Sequence, residues 1–237
     1  MIIMESKFLK SIVKEAEKIS KGYFEVYQKD DEGDLVTSLD LEIEKFLIRC
    51  IKQNYPNYSI VSEEYNSDEE IADNCFIIDP IDGTANFTNN LPLWGIQIAC
   101  RKNGETVASV IDLPEFGELY YANRTGAYLN GKKIHTKVVP IKNALYAIEG
   151  YDEASAIKKM QYYSRKYRVF RTSSVELAFL ACGRIHGFNH RKETPWDYEP
   201  GLFLCKMAGA KIKNVRGFHA AAMNQKFLDI LEKETAL

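Results

Sequence analysis

The chain of 237 residues has no CxxC pair. Its five cysteines (Cys50, Cys75, Cys100, Cys182 and Cys205) are scattered and odd in number, which argues for reduced thiols and against a zinc site or a disulfide frame. No apolar run reaches the length of a membrane span. The start, MIIMESKFLKSIVKEAEK, turns charged too quickly for a signal peptide, and a cytoplasmic setting is expected. An excess of charge of one sign is missing as well. With 31 Lys+Arg against 33 Asp+Glu the formal net charge is −2, so no global basic field draws in nucleic acid. There is no internal repeat, no low-complexity tract and no linker rich enough to separate independent domains. What is present, 46% hydrophobic and 27% charged residues, is an ordinary globular composition with ample chain for a sizeable core.

Periodicity divides the chain into an amino-terminal half, 1–139, and a carboxy-terminal half, 140–237, that share an interface. Residues 4–26 place Phe8, Ile12, Ala16, Ile19 and Tyr23 at helical spacing and predict an amphipathic helix. The run from Gln28 to Asp34 reads as a polar loop. A second helix starts at Thr37 or Ser38, either of which can cap it, with Ile43, Phe46, Leu47 and Ile51 as its buried stripe. Asp40 falls in its first turn, where the helix dipole favours a carboxylate. A strand over residues 58–61 leads into Glu63-Glu64. From Trp94 to Ile134 the texture is β-rich, with hairpin turns at Asn103-Gly104 and Asn130-Gly131. Beyond Pro140, strands and helices alternate: strands over 144–150, 167–173 and 184–189, helices over 153–166 and 175–182, then a helix launched by Pro195-Trp196-Asp197 that Asp197 is placed to cap. A mixed α/β class follows, antiparallel in the first half and mixed in the second.

The most informative stretch is DPIDGTANF, Asp79 to Phe87, after the apolar run Cys75–Ile78. Pro80 fixes its own φ and biases Asp79 toward extended geometry, so the strand is expected to end there. A tight turn can aim Asp79 and Asp82 into one space, where the like charges repel unless a cation lies between them. Such hard oxygen donors suit Mg²⁺ or Mn²⁺. Gly83 lets backbone approach a ligand, and free N–H groups at a helix start attract an anion. Asp-Pro and Asp-Gly are also ordinary turn dipeptides, and spacing alone does not choose between turn and metal site.

Taken together the fragments resemble the inositol monophosphatase family of metal-dependent, lithium-sensitive sugar phosphatases. DPxDGTxNF is met without a break at Asp79–Phe87. Trp196-Asp197 precedes a helix, and Gly126-Ala127 with Asn130-Gly131 closes a similar hairpin region. Asp34-Leu35-Val36-Thr37 with Asp40, and Glu63-Glu64, stand upstream in order. The resemblance implies a layered αβαβα sandwich and a homodimer. It implies that Glu63, Asp79, Asp82, the Ile81 carbonyl and Asp197 ligate two or three Mg²⁺ ions, with Mn²⁺ as a substitute. Thr84 would orient the attacking water near Glu63. The N–H groups of Gly83 and Thr84 would hold the phosphate. Glu64, Asp40 and Thr37 would lie behind the ligands. The reaction implied is hydrolysis of a phosphate monoester (of an inositol, a sugar or a nucleotide) by metal-activated water. The alternative is a regulatory binding protein of the same fold, acting in a transcription or ribosome-assembly complex.

The departures from the family pattern fall on the substrate side. Family members acting on inositol phosphate carry a Glu where this chain has His190, followed by Arg191 and Lys192. Arg171 stands at a usual Gly, beside Ser173, and His186 replaces a common Asp. With Ser173, Arg171, His190 and Arg191 in the pocket, a substrate with additional negative charge is expected. The bland reading of 190–192 is a solvated loop. Pro200 is read as lying in the first helical turn, where it is tolerated.

Overall fold

The computed structural model describes residues 2–29, 35–149, 153–191 and 194–235. Lys192, Asp34 and most of the acidic loop before it fall outside the described residues. The first half runs α1 (Ile2–Ile19), β1 (Val26–Gln28), β2 (Leu35–Thr37), α2 (Ser38–Asn54), β3 (Ser59–Ser62), β4 (Cys75–Asp82), α3 (Thr84–Thr88), β5 (Gly95–Lys102), β6 (Glu105–Leu113), β7 (Glu118–Asn123), β8 (Gly126–Leu129) and β9 (Lys132–Ile134). The second half runs β10 (Leu145–Ile148), α4 (Glu153–Met160), β11 (Lys166–Arg168), α5 (Ser173–Ala181), β12 (Gly187–His190), α6 (Pro195–Met207), β13 (Lys211–Val215), β14 (Phe218–Ala222) and α7 (Gln225–Thr235).

Strands β3 to β9 form a seven-stranded sheet in sequence order, antiparallel except for the parallel pair β3/β4. The second sheet has the order β11-β10-β12-β14-β13 and is mixed: β11, β10 and β12 are parallel, β12, β14 and β13 antiparallel. The hairpin turns sit where expected, with φ of 52° and 77° at Asn103-Gly104 and 47° and 83° at Asn130-Gly131, the paired positive values of a type I′ turn.

Alternation along the strands builds a layered sandwich. Phe76, Ile78, Ile98 and Val110 meet Leu9 and Val13 of α1 and Ile43, Leu47 and Ile51 of α2. The other face of that sheet gives Ile111, Leu113 and Tyr120 to a core shared with Leu177 and Leu180 of α5, Leu202 and Leu204 of α6, and Phe188 and Ala221 of the second sheet. Tyr146, Ala220 and Ala222 face outward onto Phe227 and Leu231 of α7. Helix, sheet, helix, sheet, helix is the order that results. No described helix is long and apolar enough to cross a membrane, and all five cysteines are free thiols.

Several boundaries differ from the expected ones. Helix α1 stops at Ile19, because Gly22 turns the chain with its N–H on the Ile19 carbonyl. Tyr23 is therefore 88% exposed rather than on the buried stripe. Pro80 does not end β4. The strand continues to Asp82, and Pro80 falls within a register shift, where no ladder donor is required. Helix α4 ends at Met160, ahead of a turn at residues 161–163. The cap of α6 is Thr194, which leaves Asp197 at the third helical position. Pro200 lies inside that helix rather than in its first turn.

Candidate metal centre

In a regular strand, residues three apart point to opposite faces. On β4, Asp79 pairs with Gln97 and Asp82 with Gly95, so three steps on one strand span two on the other. This bulge cancels the alternation and turns both carboxylates to one side. Gly83 follows at φ +88°, and a Cβ there would lie 2.9 Å from the Leu93 carbonyl oxygen. Only glycine makes that turn into α3 without strain.

The third carboxylate arrives from the other half of the chain. Trp196 packs on Val61, Ile77 and Ala99 of the seven-stranded sheet. That anchors the first turn of α6 and lays Asp197 against the end of β4. The Thr194 hydroxyl donates to Asp197 Oδ2. Carboxylate oxygens of Asp79, Asp82 and Asp197 all lie within 4.8 Å of one another. Asp82 Oδ2 accepts hydrogen bonds from Thr172 Oγ1 and from the Ser174 N–H, both at 2.6 Å, so it also caps the N-terminus of α5.

Electrostatics follow from that crowding. Burial, then Glu63, Asp82 and Asp197, push Asp79 well above the usual carboxylate range. Burial, then Asp197 and Glu149, raise Asp82 to about 7 against the bonds from Ser174 and Thr172. Asp197 rises to about 6, with burial first and His190 acting in the opposite direction. Asp79 Oδ1 is buried and accepts no hydrogen bond among the described residues. An orphaned hard oxygen between two further carboxylates fits a divalent cation such as Mg²⁺ or Mn²⁺.

Glu63 follows the end of β3, parallel to β4, as ligands at strand ends do. Its turn is held from α2: buried Glu44 accepts from the N–H groups of Glu64 (2.9 Å) and Tyr65 (2.8 Å) and from the Ser62 hydroxyl. Lys29 Nζ reaches Glu63 Oε1 at 2.7 Å and Glu64 Oε1 at 2.6 Å. Burial opposes the lysine's charge, yet the two glutamates outweigh it and raise its pKa. Burial lifts Glu63 to about 7 despite Lys29.

Behind the carboxylates, Thr37 and Asp40 form the capping box of α2: the Leu39 and Asp40 N–H groups bond Thr37 Oγ1, and Asp40 Oδ2 accepts from the Thr37 N–H at 2.8 Å. Thr84 Oγ1 sits 3.0 Å from the Ile81 carbonyl oxygen and 3.3 Å from Asp40 Oδ1. No hydrogen bond joins it to Glu63 among the described residues. Glu63, Asp79, Ile81, Asp82, Gly83, Thr84 and Asp197 line one cleft of about 390 Å³, together with Lys29, Glu149, Arg171 and Thr194.

Of the expected pocket residues, Arg171 is at the rim of that cleft, with φ +59°. That conformation explains why glycine suits the position. Ser173 is buried behind the site and accepts from Gln97 Nε2 at 3.2 Å, while the same amide reaches Asp79 Oδ2 at 3.4 Å. His190 is neither a solvated loop residue nor part of the cleft wall. It ends β12, is 1% exposed, and lies behind Asp197. Arg191 is half-buried outside the cleft lining. His186 joins strands, its Nδ1 accepting from the Leu145 N–H at 3.1 Å. Residues not foreseen from sequence are Lys29, Glu44, Gln97, Glu149, Thr172 and Thr194. Glu44 carried a signal, an acid on the apolar stripe four residues after Asp40. Thr194 carried another, a hydroxyl before Pro-Trp-Asp.

The inositol monophosphatase family model matches residues 3–232. A fructose-1,6-bisphosphatase/inositol-1-monophosphatase of Thermotoga maritima is 30% identical over 207 residues, 86% of this chain and 80% of that protein. The Nus factor SuhB of Escherichia coli (strain K12) is 31% identical over 204 residues, 79% of this chain and 74% of that protein. The solved structure of a Thermotoga maritima IMPase matches with a TM-score of 0.84 at 26% identity, covering 97% of this chain and 94% of that one.

Proposed function

The chain belongs to the inositol monophosphatase family, and from that premise we propose that it is a magnesium-dependent phosphatase hydrolysing a phosphate monoester of a small metabolite. Inositol phosphates, sugar phosphates and nucleotide phosphates are the candidate substrates. The observation that carries this reading is the convergence of Asp79, Asp82 and Asp197 within 4.8 Å, with Asp79 Oδ1 buried and unbonded among the described residues. These three, Glu63 and the Ile81 carbonyl would hold two or three Mg²⁺ ions, with Mn²⁺ as a substitute, which would supply charge neutralisation for the phosphate and a lowered pKa for the attacking water.

The chain's own groups do the rest. The N–H groups of Gly83 and Thr84, at the first turn of α3, have no acceptor within the helix and bind the phosphate. The Thr84 hydroxyl hydrogen goes to Ile81 O or Asp40. Its oxygen lone pairs are then left to accept from water and orient it. Thr172 and Ser174 hold Asp82 in one rotamer, and Glu44 holds the backbone beside Glu63. Inhibition by lithium, a homodimer and a cytoplasmic setting belong to the same reading.

The second reading, a regulatory binding protein, rests on the Escherichia coli relative named a Nus factor. Phosphate release from a panel of monoesters with Mg²⁺ separates the two. Asp82→Asn is expected to lower kcat by about 10³-fold or more, since it removes a charged ligand from the centre. Wild-type protein that releases no phosphate from any ester leaves the binding reading in possession.

A further inference from the structure

Around Asp197, the first turn of α6 is docked on both sheets. Trp196 packs on Val61, Ile77 and Ala99 of the seven-stranded sheet. The Tyr198 ring lies on the His219 ring of β14, with centroids 3.6 Å apart and planes at 8°. Residues two apart on a helix point about 200° from each other. Glu199 therefore leaves the helix on the side away from the Asp197 carboxylate, and it lies outside the cleft lining. There its Oε1 accepts from Arg101 Nη1 of β5 at 3.0 Å and from the Thr106 hydroxyl of β6. Its Oε2 accepts from Asn214 Nδ2 of β13 at 3.4 Å. One carboxylate thus ties the seven-stranded sheet to the second sheet. Arg101 is itself fixed, because its Nη2 donates at 2.6 Å to the carbonyl of Gly104, in the turn between β5 and β6. Asn214 Oδ1 lies 2.6 Å from His219 Nδ1, which closes the polar chain onto the ring stacked with Tyr198.

We propose that Glu199, tied to Arg101, is a positioning residue for the metal centre: it holds Asp197 at the height and rotation at which that carboxylate meets Asp79 and Asp82. The proposal rests on the metal-dependent reading above. Apolar packing of Trp196 is non-directional and resists a roll of α6 about its own axis only weakly. Asp197 would swing with such a roll, and the convergence of the three carboxylates within 4.8 Å would open. A charge-assisted hydrogen bond on the opposite side of the helix removes that freedom. The Arg101 and Glu199 side chains are 22% and 13% exposed, so salt screens the pair only in part. Arg101, Thr106, Glu199 and Asn214 all stand outside the cleft lining. Glu199 therefore reaches the chemistry through Asp197 and not through the substrate.

The test is Mg²⁺ binding by calorimetry, without substrate, beside urea unfolding in EDTA. Glu199→Gln keeps the shape and removes the charge, and its Kd for Mg²⁺ is expected to rise about tenfold. The double variant Arg101→Met with Glu199→Met replaces the pair by apolar side chains. It restores stability lost to an unpaired buried charge but not the directed bond, so its Kd is expected to stay raised at the stability of wild type. An equal Kd in wild type and folded Glu199→Gln overturns the proposal. So does a double variant in which Kd and stability return together, which would make the pair a structural tie only. Should Glu199→Gln not fold, the double variant decides: a Kd equal to wild type overturns the proposal. Wild-type protein that binds no Mg²⁺ overturns the metal-dependent reading and the proposal with it, an outcome distinct from a wild type and a variant that bind alike.

Discussion

Arg171 adopts φ +59° at the edge of the cleft, a conformation in which most side chains meet strain and glycine meets none. Replacing it by glycine relieves that strain and loosens the unfolded chain, two effects of similar size and opposite sign. Arg171→Gly is therefore expected to change stability by no more than about 1 kcal/mol. Its effect belongs to recognition: activity on a bisphosphorylated sugar should fall several-fold relative to a monophosphate, as steady-state rates on the pair would show. Equal losses on both would remove Arg171 from substrate selection. Asp79 and Asp82 stood out in the sequence through the DPIDGT stretch, whereas the bulge that turns both to one side shows only in the pairing of β4 with β5. The places of His190 and Ser173 were not legible in the sequence. Whether His190 meets solvent, substrate or Asp197 is decided by the pairing of Ile148 with Asn189, a contact between residues 41 apart in number that no local pattern encodes. Glu149 was missed for the same reason.

Among the elements, α6 carries the most consequence. Its Gly201 lies one turn after Asp197, where a Cβ would come within 2.3 Å of Leu177 Cδ1 and 2.6 Å of Leu177 Cβ. The absence of a side chain lets α5 and α6 cross closely, and it thereby sets the height of Asp197 over the end of β4. Gly201→Ala gains helix propensity of about 1 kcal/mol but must push the two helices apart, so a net destabilisation of about 1–3 kcal/mol is expected in urea unfolding. A fall in kcat should accompany it; a variant more stable than wild type would show that the crossing does not fix α6. Element identity was largely legible, since Thr37 caps α2 and the Asn-Gly pairs make the expected turns. The ends were less so. Tyr23 continues the apolar period of α1 in sequence, but Gly22 breaks the helix before reaching it. Pro80 reads as a stop and sits in a bulge instead, because a bulge forgives a missing donor and only the partner strand reveals it.

For the molecule as a whole, the converging carboxylates make the metal-free fold sensitive to pH. Asp79, Asp82, Asp197 and Glu63 all have folded-state pKa values above their ordinary ones, with burial the first cause in each. The native state then holds protons more tightly than the unfolded chain. The stability that this confers is present below about pH 4 and is lost as pH rises through 6 and 7. A divalent cation opposes the loss, because it binds the ionised carboxylates. Addition of Mg²⁺ at a hundredfold excess over its Kd is expected to stabilise the fold by about 2.7 kcal/mol. In melts against EDTA the gain in Tm should be larger at pH 8 than at pH 5.5, and equal gains at the two values would rule out these carboxylates as its source.

The placement of Asp197 in α6, after both sheets have contributed strands, also orders events in time. Asp79 and Asp82 are synthesised early as part of β4, and Asp197, beside Trp196 on the first sheet, is synthesised more than a hundred residues later. A nascent or truncated chain ending before that helix carries the whole DPIDGT signature and still lacks a third of its convergent carboxylates. On the proposed function, catalysis is thus a property of the finished chain, and a fragment that retains the signature marks ancestry rather than activity.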